Sequence, residues 1–205
     1  MSLKLVSGLL AILLLGACTV LPGAGPVRVY SLAPPPAPAL AAPKRVDGLR
    51  VLRPQANDLL ESRHMLVRPE GQPFSYYKNV RWSARVPQLW RDYLVEALRR
   101  DGRFSRVSSD EVRLQASYEL VSRLNAFQTE YRDGKPVVTI GIYLQLVDSD
   151  SGRIVAERSL SREQPAAAAG LDAVIEAYDA AAGGIAAAIA DWLAVAAAGR
   201  VRSAQ

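Results

Sequence analysis

Three runs of alternating apolar and polar residues, joined by two short turn signals, fill the middle of the chain. Leu114, Ala116, Tyr118, Leu120 and Leu124 alternate with Gln115, Ser117, Glu119 and Arg123. After Asp133-Gly134 the pattern returns as Val138, Ile140, Ile142, Leu144 and Leu146. After Asp148-Ser149-Asp150-Ser151-Gly152 it resumes from Ile154 to Leu160. A period of two turns one side of each strand to a core and the other to water. Asp-Gly suits a two-residue hairpin whose central residues need positive φ. The reading is a β-meander, which implies antiparallel pairing.

Helical spacing flanks this meander. Val86, Leu89, Trp90, Tyr93, Leu94, Ala97 and Leu98 form one apolar stripe, with Arg91, Asp92, Glu96, Arg99 and Arg100 on other faces and Gly102 as the stop. Leu171, Val174, Ile175, Tyr178, Ala182, Ile185, Ile189, Trp192 and Leu193 mark a second helix. It is about 27 residues long, more than is typical, and Gly183-Gly184 is a place for a kink. Upstream, residues 46–53, 63–68 and 74–82 read as shorter strands. The expected fold is α+β: a single domain over residues 44–198, an antiparallel sheet with two main helices packed on one face. A basic, disordered tail follows at 199–205.

The N-terminus carries an address. Lys4 precedes an apolar run from Leu5 to Leu15. That run is too short to span a bilayer, which takes about 20 apolar residues, and it suits a secretory leader. Leu15-Gly16-Ala17-Cys18 then resembles a bacterial lipobox, and Cys18 is the sole cysteine. The resemblance implies cleavage between Ala17 and Cys18, so that residues 1–17 are leader, with lipid on the Cys18 sulfur and acylation of the new amine. Each buried methylene contributes ~0.8 kcal/mol, and two or more chains make a lasting anchor. Position 19 is Thr rather than the Asp that retains lipoproteins at the inner membrane. The expected location is the periplasmic face of the outer membrane. Residues 18–43 form a tether, and seven of the 13 prolines lie between positions 20 and 43. A short strand at 27–32 leaves Thr19 to Pro26 free, which gives roughly 25 Å of reach.

The residue inventory argues against chemistry. The formal charge is +5, and the many arginines are scattered, so no nucleic-acid stripe is expected. One cysteine excludes an internal disulfide, and His64, the one histidine, excludes a His-rich metal site. No phosphate loop, dinucleotide fingerprint or G-x-S-x-G elbow occurs. The acidic turn at 148–152 has Ser159 where a calcium loop needs a bidentate acid. No enzyme activity, cofactor or metal is expected. An envelope hydrolase using His64 is the least favoured alternative. The stretch Phe74, Tyr76, Tyr77 and Trp82 is more suggestive. Adjacent tyrosines cannot both face inward on a regular strand, so Tyr76, Tyr77 and Trp82 are candidates for a partner interface.

Several of these segments together resemble one family. They are Cys18 with its Val29-Tyr30-Ser31-Leu32 strand, the run Tyr76-Tyr77-Lys78-Asn79-Val80-Arg81-Trp82-Ser83, the helix end Leu94-Val95-Glu96-Ala97-Leu98, Gly102-Arg103-Phe104, and Ala190-Asp191-Trp192-Leu193. They are similar to the ABC-type transport auxiliary lipoproteins, a family that includes the paraquat-inducible protein C type. In that family an acidic residue and a proline soon follow the Trp. Here Ser83-Ala84-Arg85-Val86-Pro87 is longer and basic. The resemblance implies a membrane-anchored auxiliary part of a lipid transport system, one that docks an MCE-domain protein and self-associates into a ring. The alternative is a carrier holding lipid in its own groove, lined by Tyr178, Ile185 and Trp192.

Overall fold

The computed structural model describes residues 25–34, 46, 48–112 and 114–203, with side chains described as far as residue 197. The leader, the Ala17–Cys18 cleavage site and most of the proline-rich tether lie outside the described residues.

The meander forms as its alternation demands. Strands β6 (Tyr118–Arg132), β7 (Lys135–Asp148) and β8 (Ile154–Pro165) pair antiparallel along nearly their whole length. Asp133 and Gly134 have φ of 50° and 70°, the twisted two-residue hairpin expected of Asp-Gly. In the second turn Asp148 Oδ1 accepts from the Ser151 amide and hydroxyl. Leu120, Leu124, Phe127, Val138, Ile140, Ile142, Leu144 and Leu146 are buried on one face.

The other strands are short: β1 (Arg28–Tyr30), β2 (Leu49–Val51), β3 (His64–Arg68), β4 (Ser75–Trp82) and β5 (Val107–Ser109). All eight strands join one sheet, whose main path runs β1-β4-β3-β6-β2-β5, with β7 and then β8 beyond β6. This sheet is mixed, which corrects the antiparallel expectation. β1–β4, β3–β6, β2–β6 and β2–β5 are parallel. The physical reason is the length of β6, which takes β2 at residues 118–120 and β3 at 129–130, with Gln55 bridging to Arg123 between them. Parallel neighbours need long connections rather than tight turns, so no turn signal announces them.

Residues 114–117, expected as strand, make one such connection. They cross β2 to start β6, the Leu114 carbonyl accepts from Arg50, and Leu114 is 57% exposed. Gly48, at φ 70°, makes the crossing possible. A Cβ there would stand 2.9 Å from the Ser117 amide nitrogen.

Helix α1 (Val86–Asp101) starts with Pro in its first turn and ends at Gly102, in the left-handed conformation at φ 81°. Helix α2 (Leu171–Ser203) runs past Gly199. It is apolar enough to cross a membrane by composition, with mean hydropathy 1.7 in its most apolar 18-residue window within Leu171–Ala197, but 56% of that window is buried inside the protein. Both helices lie on the side of the sheet that buries Trp82, Phe127 and Leu144. The Gly183-Gly184 pair stays within the helix. A Cβ on Gly184 would stand 2.6 Å from the Arg162 guanidinium, and one on Gly183 would stand 3.7 Å from Tyr93 Oη. Gly184 thus leaves room for the Arg162 head group from β8, whereas a Cβ at Gly183 would make only ordinary contact with α1.

Arg91, expected on the polar face of α1, is 2% exposed. Its guanidinium donates to Asp110 Oδ1 at 2.7 Å, Glu111 Oε1 at 2.7 Å and Asp92 Oδ1 at 2.8 Å. Burial pushes the Arg91 pKa down, and these three carboxylates more than reverse that, so it stays charged.

Candidate functional site

The candidate interface residues part company in the structure. Trp82 is fully buried, edge-on to Tyr178 at 5.0 Å and to Phe127 at 5.6 Å between ring centres. It joins β4 to the meander and α2, and presents no surface to a partner. Tyr77 turns inward. Its buried Oη lies beside Tyr131 and Thr129 without closing a hydrogen bond of normal geometry among the described residues. Burial, reinforced by Tyr131 and opposed by Thr129, pushes the phenol well above its ordinary range. Tyr76 alone is exposed, at 37%, with its ring 4.9 Å from that of His64. The expectation that one of the two tyrosines faces out is met, and Asn79, at φ 56°, shows where the alternation of β4 breaks.

The register of the strands gives the molecule two ends. The 133–134 turn and the loop before β4 share one end, where the Gly134 amide donates to Glu70 Oε2. β1 runs parallel to β4, so the segment from Arg28 back to Gly25 points toward that end. The opposite end gathers the 148–152 turn, the starts of β2 and β5, and the 114–117 crossing. Here the crossing segment separates two open cavities of about 450 and 440 Å3. The first is largely apolar, between Leu49, Val107, Leu114 and Ala116, with Arg99 and Arg106 at its margin. The second is polar, with the Arg50–Glu119 ion pair at 2.9 Å and the Ser149-Asp150 turn. Leu114, which lines the first, is 57% exposed, and Val112, two residues before it, 49%. Sequence reasoning placed Leu114 in a strand and so missed this surface. Its signal was Asp110-Glu111, an acidic pair ahead of the first apolar position.

Neither end assembles reactive groups. Among the described residues no three His, Cys, Asp or Glu side chains meet as metal ligands. His64 is exposed, its ring tilted 41° to that of Tyr76, and among the described residues no carboxylate pairs with it. Tyr178 and Ile185 are 0% and 3% exposed and Trp192 9%, so the groove imagined beneath α2 is filled by core packing.

Fold and surface together define a class: a single α+β domain with two helices on one sheet face and two open cavities at one end. The chain belongs to the ABC-type transport auxiliary lipoprotein component family, whose model matches residues 30–190. That makes it a lipoprotein-family, envelope-associated transport auxiliary, and this is not an enzyme family. A solved structure from Xanthomonas campestris, protein XCC0632, superposes with a TM-score of 0.74 at 22% identity, covering 87% of this chain and 99% of that one. A second solved structure, of an uncharacterized protein, gives 0.64 at 17% identity, covering 82% and 99%. Both show the same fold. No curated protein matches.

Proposed function

We propose that this protein is an outer-membrane lipoprotein, held at the periplasmic face through Cys18, that docks the periplasmic MCE assembly of an ABC-type lipid transporter. The family match over residues 30–190 on a chain that reads Leu15-Gly16-Ala17-Cys18 carries the reading. The geometry supports it. The segment from Arg28 back to Gly25 points to one end, and exposed Leu114 with its apolar cavity occupies the other. A partner reaching across from the inner membrane meets that far end first. Self-association into a ring would repeat the surface around an axis.

The test has two arms. Mass analysis of the mature protein should show a triacylated Cys18, and Cys18→Ser should lose that mass and the outer-membrane fraction. Crosslinking in cells should recover an MCE-domain protein, and Leu114→Asp should reduce that recovery about tenfold, as expected for a buried apolar anchor residue. An unmodified Cys18, or a crosslink set without an MCE-domain protein, overturns the corresponding half.

A further inference from the structure

The helix-free side of β1, β4 and β3 carries an unusual mixture. Four of the exposed large apolar side chains belong to this corner: Val27 at 44%, Val29 at 58%, Phe74 at 38% and Tyr76 at 37%. Register places His64, Arg81 and Val29 in one row across the three strands, all exposed. Trp82, one residue on from Arg81, is buried toward the helices, so this row faces away from them. The break at Asn79 leaves Lys78 exposed as well. The Arg68 guanidinium lies 5.2 Å over the Phe74 ring. Among the described acids here, Glu130 is held by Arg68 at 2.7 Å, and Glu70 takes the Gly134 amide. Aromatic and aliphatic groups rimmed by cations are what the boundary between headgroups and acyl chains accepts.

The place where the chain departs decides the occupant. Gly25 sits against this corner, its Cβ position 3.6 Å from Asn79 Nδ2. Only six residues separate it from Cys18, a span of at most about 25 Å. We infer that this face rests on the phospholipid bilayer that holds the anchor, with Tyr76, Phe74 and Val29 at the interface and Lys78 and Arg81 facing anionic headgroups. The inference depends on the anchoring proposed above and adds an orientation to it. The tether end is set against the membrane, and the cavities beside Leu114 point into the periplasm.

The test uses mature, lipidated protein in vesicles of phosphatidylethanolamine and phosphatidylglycerol with brominated acyl chains. Trp82 and Trp90 are fully buried and Trp192 nearly so, which gives a constant background. Fluorescence added by Tyr76→Trp should be quenched at least roughly twofold, and that added by Leu114→Trp should be unchanged, as a face lying at the acyl boundary requires. Lys78→Glu and Arg81→Glu should each lower the docked population about fivefold in these vesicles. Protein that floats with the vesicles but shows no quenching at Tyr76→Trp, or equal quenching at both positions, overturns the orientation while anchoring stands. A crosslink between residue 76 of two copies in place of quenching assigns the face to self-association and also overturns it. Protein that fails to float and has an unmodified Cys18 removes the anchor, and the orientation falls with it.

Discussion

Strands β6, β7 and β8 share a sheet with β1 to β5 but are held in it by different means. In the meander each strand is joined to the next by a tight turn, and register follows from residues close in sequence. In the other half only β3 and β4 pair antiparallel as sequence neighbours, and the three-residue strands β1, β2 and β5 are placed by contacts from far along the chain. The Arg53 amide donates to Asp110, Arg63 reaches the carbonyls of Trp82 and Ser83, and the Ala33 amide donates to Asp179 on α2. The difference shows where a sheet built from local rules needs side chains as fasteners. A hairpin fixes its own register, whereas a three-residue parallel strand has too few ladder bonds to do so.

Trp82 is where the two halves meet, so its removal is the most severe way to break the comparison. Trp82→Ala should destabilise the domain by about 4 kcal/mol through lost burial and an unfilled cavity. Chemical denaturation of the Cys18→Ser form would read this. If the halves are energetically independent, unfolding should split into two transitions. A single transition with a lowered midpoint means that the ring contacts with Phe127 and Tyr178 bind them into one unit.

How much of this was legible follows the same division. The meander, its Asp-Gly hairpin, both helices and the Gly102 stop stood in the sequence because periodicity and turn residues are local signals. The parallel pairing was not, since nothing within β2 or β3 says that both lie on one edge of β6. Leu114 and Ala116 kept the strand alternation by chance while serving as a crossing. Arg91 sits at a polar position of its helix and is buried because Asp110 and Glu111 arrive from another part of the chain. At the candidate site the sequence identified the tyrosine pair, but which tyrosine faces out depends on the backbone break at Asn79.

Two glycines with φ of 70° sharpen the contrast, because the same substitution meets different surroundings. At Gly134, in the meander turn, a Cβ meets nothing within 4 Å. Gly134→Ala should therefore cost only the left-handed strain, about 1 kcal/mol. At Gly48 the Cβ also collides with the backbone of Ala116 and Ser117. Gly48→Ala should cost about 3 kcal/mol, since the crossing segment must lift from β2 as well. It should also raise hydrogen exchange across residues 114–117, while Gly134→Ala leaves that segment unchanged. Equal losses at the two positions would mean that the crossing is not clamped by Gly48.

The smallest expected effect concerns the fasteners themselves and depends on pH. Asp110 accepts from the Arg53 amide at 3.0 Å and from Arg91 at 2.7 Å. Burial raises its pKa, but the Arg53 amide and the Arg91 guanidinium outweigh that and hold the carboxyl below its ordinary range. A carboxyl depressed in the folded state adds stability above its unfolded pKa, and that stability is lost as pH falls through the folded value. Asp110→Asn keeps an acceptor for the Arg53 amide and removes the charge facing Arg91. It should cost about 1 kcal/mol at pH 7, a modest value because Asp92 and Glu111 still face the guanidinium. As pH falls below the ordinary carboxylate value and then through the depressed folded value, the difference from the parent should shrink toward zero. Denaturation midpoints at neutral pH and in acid separate the readings. A difference that persists in acid would make Asp110 a matter of shape, and the short-strand half would then be held by packing rather than by charge.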